Sequence, residues 1–209
     1  MPYRLAIFDF DGTLADSAEW FRGVINGVAE RYGFRRVSEA DFAALRRQDN
    51  RAIIRHLGVP AWKMPLIARH MRALAARDAA AIPLFPGTPD LLRALKAQGV
   101  TIAVVSSNAE ANMRAILGPG TAALVDLFEG GASLFGKAAK FRRVLRRTGV
   151  PAREAIAIGD EARDIEAAAA AGIAAGAVAW GYADPDLLRE RAPAHLFERM
   201  EDIPPALAA

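Results

Sequence analysis

Four short apolar runs recur along the chain, each closed by a polar or glycine-bearing turn: residues 3–9 (YRLAIFD), 100–106 (VTIAVVS), 155–159 (AIAIG) and 176–180 (GAVAW). Runs of this length without polar alternation predict strands buried on both faces, as in parallel sheets. Helical patterns separate them. Residues 89–98 follow Thr88 as N-cap, carry Pro89 at the first helical position and stop at Gly99, a complete start and stop signal. Helices are also predicted from about residue 140 to Gly149 and from 161 to Gly172. Strand alternating with helix predicts an α/β fold, a doubly wound parallel sheet of Rossmann-like type.

Residues 17–82 break the alternation, with helical periodicity and no convincing strand. Asp16 and Glu19 form a capping pattern ahead of Trp20, Phe21, Val24, Ile25 and Val28, and Gly33 ends that helix. Ser38 and Asp41 repeat the pattern ahead of Phe42 and Leu45, a third helix spans about 50–57, and a fourth about 63–80. The reading is therefore a sheet-bearing core of residues 1–16 and 83–209, with an all-helical cap of residues 17–82 inserted after the first strand.

Composition narrows the chemistry. At 53% apolar residues the chain is too hydrophobic for disorder, and with no cysteine it has no thiolate or disulfide chemistry. The longest uncharged run, residues 167–183, is mostly Ala and Gly and too short to span a bilayer. Residues 1–12 hold too few apolar residues before the first acids for a secretion signal, so a cytoplasmic protein without membrane partners is expected. A net charge of +3 is a weak excess. Arg142, Arg143, Arg146 and Arg147 share one helical stripe that reads as a solvated face, and no nucleic-acid partner is expected.

The first strand ends in Asp9-Phe10-Asp11-Gly12-Thr13, two carboxylates two residues apart at the carboxyl edge where open α/β sheets bind ligands. A surface acidic turn is the bland reading of such a pair. Here a buried strand anchors it, and adjacent carboxylates repel unless a cation or a proton sits between them. Hard oxygen ligands suit Mg²⁺. Further polar groups follow at strand ends: Ser106, Ser107 and Asn108; Lys137; and Asp160 with Asp164. Alone, Ser106 reads equally as a turn residue and Lys137 as a solvated lysine.

In this order, DFDGTLADS at residues 9–17, an apolar strand ending in Ser106, Lys137, and GDEARD at residues 159–164, the sequence resembles the haloacid dehalogenase-like hydrolase superfamily, in its phosphoglycolate-phosphatase-like branch. The resemblance covers essentially the whole chain. It implies a phosphatase of small phosphorylated metabolites, with Asp9 as the nucleophile that takes the phosphoryl group and Asp11 as general acid and base. It further implies Mg²⁺ held by Asp9, by the backbone carbonyl of Asp11 and by Asp160, with Asp164 a direct or neighbouring partner. Ser106 is expected to bond a phosphoryl oxygen, Lys137 to supply fixed positive charge, and the backbone near Ser107 and Asn108 to complete the cradle. Lys140 competes for the lysine role, but Lys137 directly follows Gly136 and better fits the spacing to residues 159–160. Glu161 reads either as a group near the metal or as a helix N-terminal charge.

By the same resemblance the cap opens and closes over the acidic turn, with hinges at residues 15–17 and 82–87. Arg46, Arg47 and Arg51, at a helix-helix turn, are candidates to bind the non-reacting end of an anionic substrate; a solvated basic turn is the alternative. Two rival functions remain. A phosphosugar mutase on this scaffold is disfavoured because such relatives carry a cap histidine where Phe21 stands. A non-enzymatic module that binds phosphate or nucleic acid is disfavoured because Asp9, Asp11 and Lys137 are all present.

Overall fold

The computed structural model describes residues 2–48, 50–131 and 136–208, with the side chains of residues 50 and 51 outside that description. In chain order the elements are β1 (Leu5–Phe8), α1 (Ala18–Tyr32), α2 (Glu39–Leu45), α3 (Asn50–His56), α4 (Met64–Arg77), α5 (Thr88–Ala97), β2 (Thr101–Val105), α6 (Glu110–Ala122), β3 (Leu127–Glu129) and α7 (Gly136–Thr148). They continue with β4 (Ala155–Gly159), α8 (Ala162–Ala171), β5 (Ala174–Val178), α9 (Pro185–Glu190), β6 (His195–Phe197) and α10 (Ile203–Ala208). The six strands form one parallel sheet in the order β3-β2-β1-β4-β5-β6. The order reverses between β1 and β4, which opens a crevice at their carboxyl ends.

The strands are apolar throughout because both faces of the sheet are covered. Ala6, Phe8, Ile102, Val104, Ile156 and Ile158 point to the side packed by Leu91, Leu92 and Leu95 of α5, Met113 of α6 and Leu207 of α10. Their neighbours Leu5, Ile7, Ala103, Val105, Ala155 and Ala157 point to the other side, against Phe141 and Val144 of α7 and Ala167 and Ala168 of α8. The period of two thus divides one continuous apolar run between two cores.

The structure carries two strands that the sequence pattern does not reveal. β3 and β6 have only three residues each, too few for a periodicity to emerge, and neighbouring strands recruit them. β5 starts at Ala174 rather than 176, and α7 starts at Gly136 rather than near 140. α6 escapes notice because Gly118, with φ +72°, and Pro119 interrupt it. No helix among the described residues is long and apolar enough to cross a membrane.

Between β1 and α5 the regular elements are all helical. Ser38 and Asp41 make the reciprocal capping box at α2. At α1 the capping position falls to Ser17 rather than Asp16, and the Ser17 side chain makes no cap bond. The two connections into and out of this block run side by side: Asp16 N–H donates to the Pro83 carbonyl (2.9 Å) and Phe85 N–H to that of Leu14 (3.0 Å). Thr88, expected as an N-cap, instead donates its hydroxyl to the Leu14 carbonyl (3.0 Å), while Gly87 precedes the helix. Ile25, Val37, Leu45 and Leu57 are the buried residues of the block's small apolar cluster.

Emptying a site between α7 and the sheet should be costly. Phe141→Ala, at a residue 2% exposed, is expected to lower the unfolding free energy by about 3–5 kcal/mol in a urea titration. Leu66→Ala, at a position 40% exposed, should change it by about 0.5 kcal/mol or less.

Candidate active site

The crevice between β1 and β4 collects the polar residues that the apolar strands deliver to their carboxyl ends. Asp9 N–H still pairs with the Ile158 carbonyl (2.8 Å), so the sheet itself fixes its backbone. One carboxylate oxygen, Oδ1, accepts the Phe10 N–H (2.8 Å), and Oδ2 lies 2.7 Å from Lys137 Nζ. The same ammonium lies 2.6 Å from Asp164 Oδ1, in the first turn of α8. Asp160, which follows β4, is fully buried; it accepts the Thr13 hydroxyl at Oδ1 (2.9 Å) and the Tyr182 N–H at Oδ2 (2.8 Å).

Asp11 faces a different set of partners. Ser17 Oγ donates to its Oδ1 (3.1 Å) and stands 2.5 Å from the Tyr182 hydroxyl, while Ser106 Oγ and Asn108 Nδ2 lie 3.4 and 3.5 Å from Oδ2. Ser106 is buried, and its Oγ accepts the Asn108 N–H (3.0 Å). Asn108 is held in turn by Asn112, whose amide also donates to the Arg72 carbonyl on α4 (2.8 Å). Ser107 is exposed on the wall of the adjoining cavity.

The two lysines of α7 separate cleanly. Lys137 meets the acids, whereas Lys140, one turn further on, donates to the carbonyls of Ser106 and Gly131 (2.5 Å each) and of Glu129 (3.3 Å), tying together the ends of β2 and β3. Burial, with the Lys137 charge beside it, brings the Lys140 ammonium down to about 8. Glu161 caps α8 in a reciprocal box with Asp164 and pairs with Arg163. Arg143 and Arg147 of the basic stripe pair with the buried Glu129 (2.9 and 3.0 Å) and are half exposed.

Burial dominates the electrostatics. It raises the Asp9 carboxyl above its ordinary range despite Lys137, and raises Asp160 well above it with help from the charges of Glu161 and Asp9. Asp11 is pushed up to about 6, by burial first and by the Asp9 charge second. Burial works against the Lys137 charge, but Asp164 and Asp9 outweigh it and hold the ammonium protonated above its usual range. Asp9, Asp160 and Asp164 each place a carboxylate oxygen within 4.8 Å of the others, and all three are buried. This cluster of hard oxygen donors fits a small divalent cation such as Mg²⁺, whose charge would offset the burial that otherwise favours protonation of Asp9 and Asp160. The Asp11 carboxylate stands outside that set.

Two glycines make the packing around Asp160 possible. Gly12 has φ +80°, and a Cβ there would collide with the Asp160 carboxylate and the Tyr182 ring; at Gly181 a Cβ would overlap the Asp160 side chain. Thr13, Ser17, Gly181 and Tyr182 received no role from the sequence. Thr13 and Ser17 lie inside the DFDGTLADS run, where a hydroxyl next to the acids is the local signal for them. Residues 181–182 carry no local signal and reach the site only because β5 lies beside β4.

Of the basic turn, Arg46 donates to the carbonyls of Tyr182 (3.0 Å) and Gly181 (3.3 Å) and Arg47 pairs with Asp184 (3.0 Å), linking the end of α2 to the loop after β5. The side chain of Arg51 lies outside the described residues. A cavity of about 580 Å³ extends from Asp11, Ser107 and Asn108 up among the four helices, with Arg46 on its wall.

Residues 6–178 match the family model for haloacid dehalogenase-like hydrolases, and the chain belongs to that family. It is similar to the phosphoglycolate phosphatase of Synechococcus elongatus, 32% identical over 94% of this chain and 93% of that protein. It is also 32% identical to the tyrosine-protein kinase PtkA of Mycobacterium tuberculosis, over 88% of this chain and 65% of that protein. Its fold matches that of a haloacid dehalogenase-like family hydrolase from Streptococcus pneumoniae with a TM-score of 0.79 over 96% of each chain, at 18% identity.

The buried acids have consequences for stability and metal binding. A carboxyl raised to about 6 in the folded state contributes stability that is present below pH about 4 and lost as pH rises through about 6. Metal-free Asp11→Asn should therefore be more stable than the wild type at pH 7, by up to about 3 kcal/mol, with the gap closing at pH 4 in denaturant titrations. A gap independent of pH would contradict the assignment. Gly181→Ala should displace Asp160 and, if the cluster takes up a divalent cation, weaken that uptake by about tenfold or more in calorimetry, an effect comparable to disturbing a group that orients a metal ligand.

Proposed function

We propose that this haloacid dehalogenase-like hydrolase is a Mg²⁺-dependent phosphatase that hydrolyses small phosphomonoesters through an aspartyl-phosphate on Asp9. The observation that carries the reading is the pairing of Asp9 with the Lys137 ammonium at 2.7 Å, beside an Asp11 whose carboxyl stays protonated to about pH 6. A nucleophilic carboxylate and a separate proton donor, two residues apart and differently surrounded, meet the two needs of phosphoryl transfer.

In the first half-reaction an Asp9 carboxylate oxygen attacks phosphorus, the ester P–O bond breaks, and the departing alkoxide takes the Asp11 proton. In the second, Asp11 accepts a proton from water as the water attacks the same phosphorus, and inorganic phosphate leaves with Asp9 regenerated. Ser17 and Tyr182 hold Asp11 in place for both transfers. Ser106 and the backbone near Ser107 and Asn108 bind the phosphoryl oxygens, and Lys137 balances charge on Asp9 and the transferring group. Asp9, Asp160 and Asp164, with the Asp11 carbonyl, would hold Mg²⁺, which supplies the positive charge that lets an anionic carboxylate approach a phosphate dianion.

Residues 17–82 then serve as a cap over this site. Of the basic turn, Arg46 reaches the cavity wall but its guanidinium already bonds the Tyr182 and Gly181 carbonyls, and Arg47 pairs with Asp184, so the non-reacting end of the substrate falls to the rest of the cavity. Hydrolysis is favoured over a mutase because Phe21, at the cap position in question, lines the cavity and offers no proton. The activity named for the Synechococcus relative makes 2-phosphoglycolate a natural first substrate to assay.

Asp9→Asn should reduce phosphate release by about a thousandfold or more, since an amide is a poor nucleophile toward phosphorus. Asp11→Asn should instead accumulate phospho-enzyme from p-nitrophenyl phosphate, detectable by mass spectrometry, and lose about 10²–10⁴-fold in turnover of an alkyl phosphate. EDTA should abolish activity and Mg²⁺ restore it. Rapid turnover by Asp9→Asn, or undiminished activity in EDTA, would remove the basis of the mechanism.

A further inference from the structure

The helical block is built as though to enclose something. α1 presents Ala18, Phe21 and Ile25 at successive turns, and α4 presents Ala68, Met71 and Ala75 with the same spacing. Stripes of this kind ordinarily close against one another to make a core. Here they face the cavity of about 580 Å³, and Phe21, Phe42 and Ile53 stay only partly buried around it. The same cavity reaches Asp11 and Asn108 at its floor, so its contents meet the proposed proton donor.

Its size does not suit a two-carbon acid. Pockets of about 300–1,000 Å³ hold ligands of drug size; Arg22, Arg46, Arg72, Glu161 and Arg163 also line this one, but a short polar substrate would leave the apolar stripes of α1 and α4 in contact with water. We propose that the cavity receives the leaving group of the substrate, and that this protein selects phosphomonoesters whose alcohol carries an apolar chain or ring of about six carbons or more. The inference rests on the phosphatase reading and narrows its substrate class. The ester P–O bond is cleaved by water in the usual way, releasing the apolar alcohol and inorganic phosphate. Selection comes from hydrocarbon that leaves water as the chain enters the cavity, which also drains the site around Asp11.

Ethyl, butyl and hexyl phosphate test this, because their leaving alcohols have nearly the same acidity and differ chiefly in apolar length. With Mg²⁺ present, kcat/KM should rise about two- to fourfold per added methylene, placing hexyl phosphate, with four more, roughly sixteenfold or more above ethyl phosphate and likewise above 2-phosphoglycolate. Ala68→Phe, which fills the cavity from α4, should shrink the hexyl-to-ethyl ratio to about threefold or less. Ala68→Leu, a smaller step that guards against a misfolded block, should give an intermediate ratio, with thermal melts confirming a folded protein. A flat series, a preference for 2-phosphoglycolate, or a ratio indifferent to both Ala68 variants overturns the inference while leaving the phosphatase intact. Release from no ester, p-nitrophenyl phosphate included, instead refutes the phosphatase reading. In that case calorimetry with hexylphosphonate and ethylphosphonate still decides the cavity's role: equal affinities overturn it, and tighter hexylphosphonate binding upholds it.

Discussion

The Lys137 ammonium, shared between Asp9 and Asp164, is the contact on which the site depends. Both carboxylates are almost fully buried, and an ionised acid without a partner at that depth would protonate or unfold its surroundings. Lys137 reaches them because α7 begins at Gly136, so that its first turn meets the sheet edge. Lys140, three residues later on the same helix, occupies itself with the carbonyls that end β2 and β3. One helical turn therefore neutralises the acids and braces the loops that carry Ser106.

Around that pair, side chains suited to local structure serve distant partners instead. Ser17 occupies a helix-capping position but gives its hydroxyl to Asp11, and Thr13 gives its own to Asp160 across the β1/β4 crevice. Tyr182 joins both networks, through its backbone to Asp160 and through its hydroxyl to Ser17. Asp11 thus meets Ser17, Ser106 and Asn108 side chains while Asp160 meets Thr13 and a backbone N–H, with Tyr182 the link between the two sets.

The helical block meets the sheet on polar and apolar terms at once. Arg46 and Arg47 fasten α2 to the loop after β5, and the Asn112 amide fastens α4 to α6. Between those ties the apolar stripes of α1 and α4 are left facing an open cavity. Among the described residues the block's own cluster has four buried members, against a far larger core packed on the sheet.

Much of this was legible in the sequence because the information is local. Unbroken apolar runs such as LAIF mark strands covered on both faces, Gly99, Gly149 and Gly172 mark helix ends, and Ser38 with Asp41 marks a cap. The carboxylates, Ser106 and Lys137 were each placed at the end or start of such an element, and the fold brings Asp9, Asp11, Ser106, Lys137, Asp160 and Asp164 to one crevice. Three-residue strands were not legible, since β3 and β6 exist only through pairing with a neighbour. Nor were Gly181 and Tyr182, or the carbonyl-binding role of Lys140, because their partners lie in other elements. Sequence by itself determined which residues could carry charge, turn or hydrophobic contact; tertiary structure decided which of them share a desolvated space, because strand order and helix packing alone set distances between residues remote in the chain.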